Sequence, residues 1–94
     1  MKFMLTFTLS PDKDKRNEAI QRFLKTGGQP PKGAKLLGRW TRADFSQGYD
    51  LLESDNAGAL TELALQWSDL MELEIVPVVE DQELSAVLKR AGLH

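Results

Sequence analysis

The chain has 94 residues, 41% of them apolar and 28% charged, with a formal net charge of −2 and no cysteine. This composition excludes a disordered segment, a disulfide scaffold and a thiolate metal centre, and no run approaches the ~20 apolar residues needed to cross a bilayer. The near-neutral total conceals a division: residues 1–42 carry ten Lys/Arg against three Asp/Glu, whereas residues 43–88 carry eleven Asp/Glu and no Lys or Arg.

Met1–Leu9 alternates Phe3, Leu5, Phe7 and Leu9 with Met4, Thr6 and Thr8, the period of a strand. Lys2 ahead of this run imitates a signal peptide, but the run is short, carries threonines and lacks a small-residue cleavage site. Ser10-Pro11 is expected to cap a helix with Ala19, Ile20, Phe23 and Leu24 along its apolar stripe and Gly27-Gly28 at its end. After the loop Gln29–Gly33, a second strand over Ala34–Arg42 carries Leu36, Leu37 and Trp40. A third, over Gly48–Ser54, carries Tyr49, Leu51 and Leu52, and the short link between them predicts an antiparallel hairpin. Asp55 or Asn56 caps a second helix, in which Ala57, Leu60, Leu63, Ala64, Trp67 and Leu70 keep helical spacing. Glu72–Val79 is the fourth strand. Asp81 opens a last helix with Leu84, Val87, Leu88 and Ala91 on one face, Lys89 and Arg90 in its final turn and Gly92 as its stop.

The order β-α-β-β-α-β plus a C-terminal helix predicts one α+β domain over residues 1–94, with the ferredoxin-like arrangement. Two helices cover one face of a four-stranded antiparallel sheet of order 4-1-3-2, with strands two and four at the edges. Pro77 fits an edge strand. Phe3, Leu5, Phe7, Leu73 and Ile75 supply the face towards the helices. The other face should hold Met4, Thr6, Thr8, Glu74, Val76 and Val78, with one of Arg39 or Trp40. It is too apolar to stand in water, and a chain this short buries only about 60–65% of its unfolded surface, so a homodimer through this face is expected. A pocket between the two sheets, lined by Thr6, Trp40 and Glu74, is the sharper form of that reading.

Sequence motifs for chemistry are few. The single histidine, His94, is terminal and is read as inert. Ser/His/Asp and Cys/His constellations and a Gly-rich phosphate loop are absent from the sequence. Glu72 and Glu74 share a strand face and could act as an acid–base pair or hold a hard cation, but nothing near them completes a ligand set. Glu53 is a lone acid in an apolar segment that could pair with Arg39 across the hairpin. Arg39-Trp40 could recognise an anionic or aromatic ligand, although neighbouring strand residues face opposite ways unless a bulge intervenes. Trp67, on the helical stripe, is read as core. Thr6, Arg39, Trp40, Glu53 and Glu74 are thus the candidate ligand-binding residues; no catalytic residue, metal ligand or cofactor is assigned. RNA binding is rejected, because Gln47-Gly48-Tyr49-Asp50 offers one aromatic beside an acid and residues 43–88 are anionic.

Four blocks together carry a resemblance: Lys35–Trp40, Gly48-Tyr49 through Glu53, Gln66-Trp67-Ser68-Asp69-Leu70, and Glu74 through Val78. Over most of residues 1–85 the chain resembles an uncharacterised bacterial family known as domain of unknown function 3303. The resemblance implies the dimeric α/β-barrel version of the ferredoxin-like fold, in which two sheets pack face to face, and no established activity. Structural relatives of that fold include cofactor-independent monooxygenases and small stress-related dimers, many with a pocket histidine that this chain lacks. The leading expectation is a homodimeric domain that binds a small organic ligand or serves as an accessory module, without catalytic machinery. Its rivals are a cofactor-free oxygenase or isomerase using Thr6, Arg39, Trp40 and Glu74, and a protein-interaction adaptor. A cytoplasmic location is expected, with neither nucleic acid nor membrane as partner. Across a two-fold axis, Lys32, Lys35, Arg39 or Arg42 would approach Glu72, Glu74 or Glu80 of a second copy, making the charge division self-complementary.

Overall fold

A computed structural model describes residues 1–93; His94, read above as inert, lies outside the described residues. The elements follow in the expected order: β1 (Lys2–Leu9), α1 (Lys13–Thr26), β2 (Lys35–Thr41), β3 (Gln47–Glu53), α2 (Ala57–Trp67), β4 (Met71–Val78) and α3 (Asp81–Arg90). The sheet runs β2-β3-β1-β4, which is 4-1-3-2 counted from the other edge, and every pair is antiparallel. No helix among the described residues is long and apolar enough to cross a membrane.

Caps depart slightly from expectation. Asp12, not Ser10, caps α1 by accepting from the Asp14 N–H, while the Ser10 hydroxyl accepts from the Asp12 N–H just ahead of the helix. Asn56 caps α2 through the Gly58 N–H, and Glu80 rather than Asp81 precedes α3.

The two sheet-covering helices are unequally buried. Helix α2 buries Ala59, Leu60, Leu63 and Trp67, and the last three pack with Leu5 and Leu52 as the core. Helix α1 buries only Ala19; Leu24, expected on its apolar stripe, is 69% exposed. Polar ties hold α1 instead. Arg22 donates to the Gln66 carbonyl and to both carboxylate oxygens of Asp69, at 2.6–3.0 Å, and lies over the Trp67 ring. The guanidinium keeps the Asp69 carboxyl below the ordinary carboxylate range.

Helix α3 buries no residue, and Leu84, Val87 and Leu88 stay exposed along one side. The described chain has a radius of gyration of 15.6 Å and extents of 52 × 29 × 17 Å, against about 12 Å for a compact domain of this length. The elongation and the uncovered apolar stripe agree with each other.

One register pair fixes a core ring. Phe7 stands opposite Gly48, and a Cβ at Gly48 would lie 2.0 Å from the ring. Gly48→Ala should therefore lower stability by about 1–3 kcal/mol in urea unfolding, with secondary structure by circular dichroism retained.

Candidate functional site

Strand β2 carries a bulge that decides what faces what. Leu36 pairs with Leu52 and Gly38 with Leu51, so the register slips at Leu37. Without the slip, Trp40 would share the helix side with Leu36. With it, Arg39 turns towards the helices and Trp40 towards the open face.

On the helix side, Arg39 meets Asp50, its direct partner on β3. Its Nε donates to Asp50 Oδ1 at 2.7 Å and its Nη2 to Oδ2 at 3.2 Å. The same guanidinium donates to the carbonyls of Gly27 and Gly28, at 3.2 and 2.6 Å, and lies over the Phe23 ring. Both glycines adopt left-handed backbone (φ 71° and 61°), and a Cβ on Gly28 would collide with the Arg39 guanidinium at 2.7 Å. The Gly-Gly pair thus ends α1 and also presents its carbonyls to Arg39. Asp50 is 5% exposed, so this is a buried, bidentate pair with further hydrogen bonds. Glu53, the acid expected to meet Arg39, faces the other side and stands between Lys35 and Lys2 in register.

Beside this pair, a cavity of about 190 Å³ lies between α1, α2 and the sheet. Phe7, Leu9, Met71 and Leu73 form the sheet wall, Ile20 and Phe23 the α1 wall, and Leu63 and Trp67 the α2 wall. Phe45, in the β2–β3 link, adds a further aromatic side, and the polar side chains of the lining are Arg39, Asp50 and Thr41. Ala19, the one buried residue of α1, also borders the cavity.

Of the sequence-predicted site residues, only Arg39 lines this cavity. Thr6, Trp40 and Glu74 share one cross-strand row on the open face: Trp40 opposite Tyr49, Tyr49 opposite Thr6, Thr6 opposite Glu74. The next row is Gly38, Leu51, Met4 and Val76, with the Trp40 indole lying against Gly38. Tyr49 donates to Gln47 Oε1, and Gln47 Nε2 donates to Thr8 Oγ1. Glu53 borders a wider, open depression at the end of the sheet with Met1, Lys35, Ser54 and Asp55. No group of three or more metal-ligating side chains occurs among the described residues, and Glu72 and Glu74 gain no third carboxylate.

Sequence reasoning missed Asp50, Phe45 and the cavity itself. An aspartate flanked by Tyr49 and Leu51 in a strand is the available signal for a buried partner of an arginine.

Removing Arg39 leaves the buried Asp50 carboxylate without its counter-ion, and removing Asp50 leaves a half-buried guanidinium held only by backbone carbonyls. Arg39→Ala and Asp50→Ala should each lower stability by about 3–5 kcal/mol in urea unfolding. The double substitution Arg39→Met with Asp50→Leu, which leaves no charge unpaired, should recover more than half of that loss.

Comparison with known proteins adds fold and family. No curated protein matches the chain by sequence. A structure of Rv0793 from Mycobacterium tuberculosis is similar over 86% of this chain and 98% of that one, with a TM-score of 0.51 and 14% identity, which supports the fold alone. The profile of the domain of unknown function DUF3303 matches residues 1–92, nearly the whole chain. The chain therefore belongs to the DUF3303 family.

Proposed function

We propose that the protein is a small-molecule-binding domain that works as a homodimer, with the ligand between α1 and the sheet of each copy and the open sheet faces forming the dimer interface. The observation that carries the binding reading is the unfilled cavity. About 190 Å³ of space beneath α1, walled by apolar side chains and open on the side of Phe23 and Phe45, is left unfilled, and its lining forgoes the dispersion contacts that closure would supply. A space this large, apolar and bordered by a few fixed polar groups has the character of a ligand site.

Dimerisation is supported by what the chain leaves uncovered. Trp40 is 59% exposed at one end of its row, and Val76 and Leu37 are also exposed. The stripe on α3 adds a second uncovered apolar surface. A second sheet packed face to face would cover the first of these. In this reading Thr6, Trp40 and Glu74 belong to the interface, Arg39 to the ligand cavity, and Glu53 to the interface margin.

The charge complementarity between copies is narrower than the sequence alone implies. Arg39 pairs with Asp50, Arg42 with Asp44, and Lys2 with Glu80 within one chain. Lys32 and Lys35 on one side, and Glu72 and Glu74 on the other, make no ion pair among the described residues and remain for the partner.

Light scattering at micromolar concentration should give about twice 10.5 kDa. Trp40→Asp should weaken association at least about tenfold while leaving the circular dichroism spectrum unchanged. Raising salt from about 0.05 to about 0.5 M should weaken the wild-type dimer severalfold. A wild-type monomer would overturn the dimer reading, and salt indifference would remove Lys32, Lys35, Glu72 and Glu74 from it.

A further inference from the structure

The cavity wall is carbon, and its polar corner holds no unmatched charge. Arg39 makes four hydrogen bonds, two to Asp50 and two to backbone carbonyls, and Asp50 answers the guanidinium with both oxygens. A charged guest would enter without a free counter-ion, which is costly in a desolvated site. The volume is also informative. An engineered apolar cavity of ~150 Å³ stays dry and takes benzene, so about 190 Å³ accommodates one ring with a small substituent.

Phe45 is the wall with unusual properties. It is the only non-glycine residue among those described with positive φ, at 59°, a conformation that strains a bulky side chain by about 1–3 kcal/mol. Its neighbours hold it there. The Phe45 N–H donates to the Arg42 carbonyl at 2.8 Å. Asp44 accepts from the Ser46 N–H, the Ser46 hydroxyl and Arg42 Nη2, bonds that also draw its carboxyl below the ordinary range. From α1, Arg16 Nη2 donates to the Phe45 carbonyl at 2.9 Å, and its guanidinium lies 5.4 Å from the ring centroid. The ring is 40% exposed while lining the cavity, so it stands between the interior and water. Swinging the ring outward would widen the mouth of the cavity at the cost of its contact with Arg16, while the backbone bonds of the turn stay in place.

We propose that the cavity takes a neutral, apolar molecule of about one aromatic ring, and that Phe45 is the movable wall that admits it. This rests on the cavity being a binding site, as argued above. The full-length protein is titrated with toluene, and separately with benzoate and benzylamine as charged counterparts, reading methyl NMR shifts of Leu63 and Leu73, exchange rates and Tm. Toluene should bind saturably and raise Tm, and the charged rings should bind at least about tenfold more weakly. Phe45→Gly keeps the backbone conformation without strain, and should accelerate toluene exchange about tenfold or more while changing Kd much less. Ile20→Phe, or Leu73→Phe from the sheet side, should fill the cavity and abolish toluene binding in a folded protein.

The outcomes separate. Toluene that shifts neither signals nor Tm overturns the cavity reading itself. Toluene binding matched by benzoate or benzylamine overturns the neutral-ligand assignment and leaves the site standing. Toluene binding with unchanged exchange in Phe45→Gly overturns the role of Phe45 alone.

Discussion

Helix α1 is fastened to the sheet by guanidinium groups where α2 is fastened by hydrocarbon. Three arginines make the attachment: Arg22 to the end of α2, Arg39 to the glycine carbonyls that close α1, and Arg16 to the carbonyl of Phe45. Each lies over an aromatic ring, Trp67, Phe23 and Phe45 respectively, and all three rings line the cavity. Such contacts are directional and act at the rim, so they hold a helix in place without requiring its underside to touch the sheet. Apolar packing, by contrast, is gained only by closing the gap. The space under α1 and the way α1 is held are one structural fact.

The division of labour has energetic consequences. Leu60, Leu63 and Trp67 of α2 join Leu5 and Leu52 in a core that any opening of the chain must expose. Helix α1 has one buried residue, and its Asp69 tie is partly solvated, in the range where ion pairs contribute about 0–1 kcal/mol. The Arg39–Asp50 pair is the buried exception, and it anchors only the C-terminal end of α1. Opening of α1 from its N-terminal end therefore disturbs the least structure, and that end faces Phe45 through Arg16. The cavity and its most easily opened boundary fall on the less stable side of the domain.

Much of this is legible in the sequence, and the exceptions share a physical cause. Alternation in β1, helical spacing in α2 and the edge proline in β4 each report a face, and faces are what periodicity encodes. The sheet order and the buried Trp67 follow from them. The orientation of Arg39 and Trp40 does not, because one bulged residue at Leu37 exchanges the two faces and no local pattern marks it. Leu24 lies on the expected stripe yet stands largely in water, since periodicity does not tell how close a helix sits. Apolar residues without cover point to a pocket on the open face. The cavity under α1 lies where apolar residues have cover that falls short, and periodicity does not encode that distance.

The division of charge along the chain takes on a different meaning in three dimensions. Lys2, Arg22 and Arg39 from the cationic segment meet Glu80, Asp69 and Asp50 from the anionic one, so the two segments are joined by their own opposite charges. In a β-α-β-β-α-β chain those segments are separate in sequence but interleaved in space, because β1 sits between β3 and β4. Segregating charge by segment makes pairs within a segment repulsive and pairs between segments attractive. That favours the interleaved arrangement over local collapse of either segment. The pairing of Arg39 with Asp50 is the most buried instance, and the same contact that joins the segments also sets the polar corner of the cavity. Charge segregation, helix attachment and cavity polarity thus converge on one ion pair.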